Sequence, residues 1–139
     1  MKKLILLLLL LAVLALSIFV YRNYFSVSSQ PYQRDVANEK SSTVTANEII
    51  RQFKSNDTAV NQKYLNKTVS VSGKVGKIET GLDGNITITL QSNDSTASVF
   101  CTLKSPSEKP TVGSTITVKG ICTGLLLNDV VLNEAIIVK

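Results

Sequence analysis

Val69-Ser70-Val71-Ser72-Gly73-Lys74-Val75-Gly76-Lys77-Ile78 alternates apolar and polar residues and then loses step by one. Through Val75 an apolar or small residue recurs at every second position, the pattern of a strand with one face buried. Ile78 is out of phase, and Gly76 stands where a β-bulge would absorb the slip and bend the strand. Gly81-Leu82-Asp83-Gly84 then reads as a hairpin turn, its Asp-Gly pair supplying positive φ. Beyond it Ile86, Ile88 and Leu90 alternate with Thr87, Thr89 and Gln91. After a polar turn, Val99, Cys101 and Leu103 alternate with Ser98, Phe100 and Thr102. Residues 104–113 hold two prolines and Gly113, the content of a loop. Ile116, Val118 and Gly120 alternate again, and Gly124 leads to a last strand from Val130 to Val138.

Upstream, Thr45-Ala46-Asn47-Glu48 has the spacing of a capping box. Behind it Ala46, Ile49, Ile50 and Phe53 fall on one face of a short helix. Asn56 or Asp57 is placed to cap a second helical turn through Ala59, Val60 and Tyr64. A short helix thus precedes five strands: a bent first strand, a meander, a long connection and a closing hairpin. Strands this short and this polar on one face need their edges removed. The count and the bent first strand therefore predict a mainly β domain, a five-stranded Greek-key OB-fold barrel, over residues 45–139. A small open sandwich is the other arrangement the count allows.

The N-terminus obeys a different rule. Of the 139 residues 44% are apolar, but they crowd the start of the chain, so the positive mean hydropathy reflects that run. Met1-Lys2-Lys3 is followed by Leu4 to Val20, where only Ser17 is polar. As a helix this stretch is about 26 Å long, close to a ~30 Å hydrocarbon core. Tyr21, Arg22, Tyr24 and Phe25 suit a headgroup boundary. Residues 1–25 are therefore expected to be a transmembrane signal anchor inserted through residues 4–20. The two lysines would stay inside and the domain would lie on the extracytoplasmic side of the cell membrane. A signal peptide cut near Ala15-Leu16-Ser17 is the alternative and would release a secreted or periplasmic domain. Residues 26–44 show no apolar period and are expected to be a flexible linker.

A family resemblance rests on specific residues. They are Ala59, Asn61, Lys63 and Tyr64; then Lys67, Val69, Val71, Gly73 and Val75; then Val99 and Cys101; and finally Val118, Gly120, Cys122, Gly124, Asp129, Val130 and Leu132. With these the chain resembles the tRNA-anticodon-domain-like OB-fold family over about residues 45–138. Its members are small bacterial envelope proteins with a signal or membrane segment ahead of one OB-fold. The resemblance implies that fold and that location; the family name records a likeness of fold, not tRNA binding.

Cys101 and Cys122 both fall on the inward phase of their strands. In an exported domain two such cysteines are expected to form a disulfide, contributing about 3 kcal/mol by closing a loop of that size. Two buried thiols packed as small apolar side chains are the alternative.

The chain has no His, which excludes His triads, His bases and His-containing zinc sites. No nucleophile elbow, phosphate loop or dinucleotide motif occurs, so no enzyme activity, cofactor or metal is expected. Asp129 is expected to cap the turn after Gly124. Nucleic acid is the usual partner of a basic OB-fold, and the sequence pI is about 9.3. Yet residues 45–139 carry ten Lys and Arg against eight Asp and Glu, a net charge of only +2. Phosphate binding needs a concentrated basic groove with stacking aromatics. Of the domain's three aromatics, Phe53, Tyr64 and Phe100, only Phe100 lies on a polar phase. The candidate ligand face is therefore the outer side of the second and third strands: Thr87, Thr89, Gln91, Ser98, Phe100 and Thr102, fringed by Lys74, Lys77 and Lys119. An exported module with that face is expected to bind an envelope protein or a glycan. The alternatives are an assembly domain without a ligand site, or single-stranded nucleic-acid binding.

Overall fold

A computed structural model describes residues 2–28, 34–105 and 109–138, with two compact units, Met1–Arg34 and Asp35–Lys139. The first is one helix, α1 (Lys2–Ser28). Within it Lys3–Arg22 is long and apolar enough to cross a membrane, and none of that window is buried by protein. The helix is apolar around its circumference, with the large apolar side chains between Leu4 and Val20 half or more exposed. A helix of that kind has no preferred face for a soluble core.

The second unit opens with a short strand, β1 (Ser42–Thr45), and two helices, α2 (Ala46–Lys54) and α3 (Thr58–Tyr64). The Thr45 side chain accepts from the Glu48 N–H at 3.2 Å, as its spacing predicts, while the Glu48 carboxylate accepts from Gln52. Asp57 caps α3 through the Ala59 N–H. Five strands follow: β2 (Thr68–Thr80), β3 (Ile86–Gln91), β4 (Ser98–Leu103), β5 (Thr115–Leu126) and β6 (Asp129–Val138). Their order is β2-β3-β4-β6-β5, and β5 pairs back to β2. All the pairings in this circuit are antiparallel except β4 with β6. This is the closed five-stranded barrel expected from the alternation. β1 adds beside it, parallel to the first half of β2.

Gly76 is the bulge: the β2–β3 register shifts between Val75 and Lys77. The bend lets one long strand pair with β5 through its first half and with β3 through its second. Gly84, at φ 79, closes the hairpin with its N–H on the Gly81 carbonyl. The barrel interior holds Val69, Val71, Ile88, Leu90, Val99, Val118 and Leu132, all fully buried. α2 plugs one end with Ala46, Ile49, Ile50 and Phe53. Tyr64 packs against Phe53 at 5.9 Å and donates its hydroxyl to Gln52 at 2.9 Å, so its burial leaves no polar atom unsatisfied.

Three expectations need correction. The cysteines are free, not bridged. Cys101 lies on β4 and Cys122 on β5, and both are in register with Leu132 on β6, which runs between them. Two strand spacings make about 9–10 Å, beyond the ~7 Å Cα separation that a disulfide can span. Both thiols serve as core residues, and burial pushes that of Cys101 up to about 12.

Second, the latter part of the expected linker is structured. Val36 is buried, residues 35–39 form a turn, and Ser42–Thr45 is a strand, so the domain starts near residue 35. Polar sequence misled here because these residues pair through backbone and hydroxyl groups. Residues 29–33 of that linker lie outside the described residues.

Third, Asp129 does not cap the Gly124 turn. β5 runs on to Leu126, the turn is Leu127-Asn128, and Asp129 Oδ1 accepts from both the N–H and the hydroxyl of Ser98 at 2.7 Å. It ties the start of β4 to the start of β6.

Candidate ligand-binding face

The antiparallel register of β3 and β4 sets the predicted residues side by side: Thr87 opposite Thr102, Thr89 opposite Phe100, and Gln91 opposite Ser98. Directly paired residues point to the same side of a sheet. Since Ile88, Leu90, Val99 and Cys101 are buried, these six occupy the outer side. All are half-buried except Gln91, which is exposed. The rows extend onto β2, where Glu79 pairs with Thr87, Lys77 with Thr89 and Lys74 with Gln91. They also extend onto β6, where Val131 pairs with Phe100. The central row is therefore Lys77, Thr89, Phe100 and Val131: an ammonium, a hydroxyl, an aromatic ring and a small apolar side chain.

Lys119 is not part of this face. It sits on β5 opposite Ser70, and its ammonium donates to the Ala37 carbonyl at 2.9 Å, holding the N-terminal turn. Lys74 is in place beside Gln91. Lys77 is in place too, but its charge is matched by Glu79 at 2.7 Å. The face thus offers hydroxyl and amide groups around one aromatic ring, with little uncompensated positive charge.

Sequence reasoning missed Glu79 and Val131. Glu79 was within reach, because counting outward from the Gly81–Asn85 turn pairs it with Thr87. Val131 was not, because it arrives through the parallel β4–β6 pairing, which no local pattern encodes.

Two grooves lie elsewhere. A groove of about 770 Å³ runs between α2 and the β3–β4 turn, lined by Asn47, Arg51, Lys54, Ser92 and Asn93 among others. It is internally tied: the Asn93 N–H donates to the Asn47 side chain, and Lys54 pairs with Asp94. Lys54, and then Thr96, hold the Asp94 carboxyl well below the usual carboxylate range. A second groove of about 520 Å³ includes Ser72, Lys109, Pro110, Thr115 and Thr117. Among the described residues no three His, Cys, Asp or Glu side chains converge as a cation site.

Comparison with known proteins agrees with this architecture. The tRNA_anti-like family model matches residues 1–136. Among solved structures, the fold is similar to that of a Klebsiella pneumoniae subsp. pneumoniae protein described as a candidate nucleic acid-binding lipoprotein. The TM-score is 0.55 at 22% identity, over 79% of this chain and 100% of that one. No curated protein matches the sequence.

Proposed function

This chain belongs to the tRNA_anti-like family, and on that premise we propose that it is a membrane-tethered OB-fold module that binds an envelope ligand. Helix α1 is its anchor, the lysines at the N-terminus stay inside, and the barrel works on the extracytoplasmic side. Binding, not catalysis, is its activity. The observation that carries the reading is the cross-strand alignment of Thr87, Thr89, Gln91, Ser98 and Thr102 around Phe100. Outer sheet faces at this position are where OB-folds take their ligands.

The chemistry of the face favours a glycan, with an envelope protein as the next choice. A sugar ring presents C–H groups to stack on one aromatic and hydroxyls to exchange hydrogen bonds with threonine, serine and glutamine. A nucleic-acid strand is the second reading, favoured by the description of the Klebsiella protein. It asks for several stacking rings and a basic track, whereas this face has one ring and Lys77 already paired with Glu79.

The test uses the full-length protein in detergent. Retention on purified cell-wall glycan is measured beside titration with a fluorescent single-stranded oligonucleotide at low and moderate salt. Retention that Phe100→Ala and Thr89→Lys both abolish, with unchanged circular dichroism, is the expected result. Oligonucleotide binding that falls steeply with salt, without glycan retention, would replace this reading with the nucleic-acid one.

A further inference from the structure

The tip of the β5–β6 hairpin is apolar and outward. Leu125, Leu126 and Leu127 are 41%, 66% and 90% exposed, and Leu65, 41% exposed, lies against Gly124 just before them. Leu126 pairs with Asp129, so the loop between the strands is Leu127-Asn128 alone. Such two-residue loops normally carry Asn, Asp or Gly at positions of positive φ. Here Leu127 holds φ 58, a region that a bulky side chain seldom enters. A leucine held there and left in solvent is unfavourable twice over, and no core packing within the domain compensates it. The acid beside the tip, Asp129, is turned to Ser98. Lys67, exposed, stands at the same end, its carbonyl accepting from the Cys122 N–H.

Chain length argues for what covers this tip. α1 ends at Ser28 and the domain unit begins at Asp35. Seven Cα–Cα links reach at most about 25 Å, and the six helical residues beyond Arg22 add about 9 Å. A domain of this size has a radius of gyration of about 13 Å. The fully extended tether is thus about as long as the domain is wide, about 34 Å for a sphere of that radius of gyration, which keeps the barrel within reach of the bilayer.

We propose that the Leu125-Leu126-Leu127 tip inserts into the interfacial region of the membrane that carries α1, giving the domain a second contact with the bilayer. This rests on the reading of α1 as a retained anchor. A pair of contacts fixes which side of the barrel faces the lipid, and so how the β3–β4 face is presented.

The experiment takes the full chain reconstituted into phosphatidylcholine–phosphatidylglycerol vesicles with brominated acyl chains. An environment-sensitive fluorophore is attached through Leu126→Cys, Leu82→Cys or Leu10→Cys; Cys101 and Cys122 are buried and do not compete. Leu82 is a fully exposed leucine in the β2–β3 turn and reports on apolar exposure alone. The expected result is bromine quenching and a blue shift at positions 126 and 10, and neither at 82. Quenching at 10 without quenching at 126 overturns the inference and leaves the anchor standing. A blue shift at 126 without bromine quenching assigns the tip to a protein contact and overturns it as well. No quenching at 10 removes the anchor, and this inference with it.

Discussion

The two halves of β2 read alike in sequence and are treated differently by the fold. Thr68–Val71 is buried on both sides, whereas beyond the Gly76 bulge only the inward side is sheltered and Lys77, Glu79 and Thr80 are exposed. The inward valines of the first half and Ile78 of the second serve the same core. The difference lies outside. The first half has β1 on one edge and β5 on the other, and the N-terminal segment lies over its outer side. Ser41 and Ser70 share a hydrogen bond of 2.8 Å, and Thr68 donates to Glu39. Among the described residues the second half has no such cover, and its outer side joins β3 and β4 in the candidate ligand face. Alternation therefore reports which residues face the core, while exposure of the other face depends on what else is laid across it.

The largest effect should come from the side that both halves share. Ile88 is fully buried opposite Ile78, in the open half. Ile88→Ala should cost about 2–5 kcal/mol in denaturant unfolding. A loss below 1 kcal/mol would mean that the open half is open within as well as without.

Next come substitutions on the outer side, where the halves should diverge. Val36 is 2% exposed, and Val36→Ala should cost roughly 1–2 kcal/mol through the two methylene equivalents it removes from burial. Lys77→Ala and Glu79→Ala, in the open half, should stay within about 0.5 kcal/mol of the parent protein. Equal costs in the two halves, measured by the same unfolding curves, would erase the distinction.

The smallest effect concerns the cysteines of the common core. With no disulfide to break, a reductant should leave the melting temperature unchanged, and thiol reagents at pH 8 should modify neither cysteine until the protein is denatured. The sign of the pH dependence follows from the raised thiols. Folding keeps them neutral, so their contribution is complete below the ordinary thiol range near 8.5 and is lost as pH climbs from there towards about 12, the folded value for Cys101. Stability that rises between pH 8 and 10 would contradict it.

Much of this could be read from the chain because its signals are local. The Gly76 bulge follows from a one-residue slip between Val75 and Ile78, and the hairpin from Asp83-Gly84. The grouping of Thr87, Thr89, Gln91, Ser98, Phe100 and Thr102 follows from two alternating runs joined by a short turn. What escaped was non-local. Lys119 sits on the same phase as the polar strand residues, yet it is drawn to the Ala37 carbonyl by a segment 82 residues away. Ser42-Thr43-Val44-Thr45 has the polarity of a linker and becomes a strand because β2 offers it an edge.

The apolar N-terminal helix, the inward phase of β2 to β5 and the bends that allow closure were legible in the chain alone. Each depends on neighbours a few residues apart and on the steric preferences of glycine and β-branched side chains. That β6 runs between the two cysteines, that the N-terminal segment covers half of β2, and that three leucines end on a hairpin tip were settled by the assembled fold. Those outcomes depend on which strands become neighbours, and that choice is made by burial summed over the whole domain.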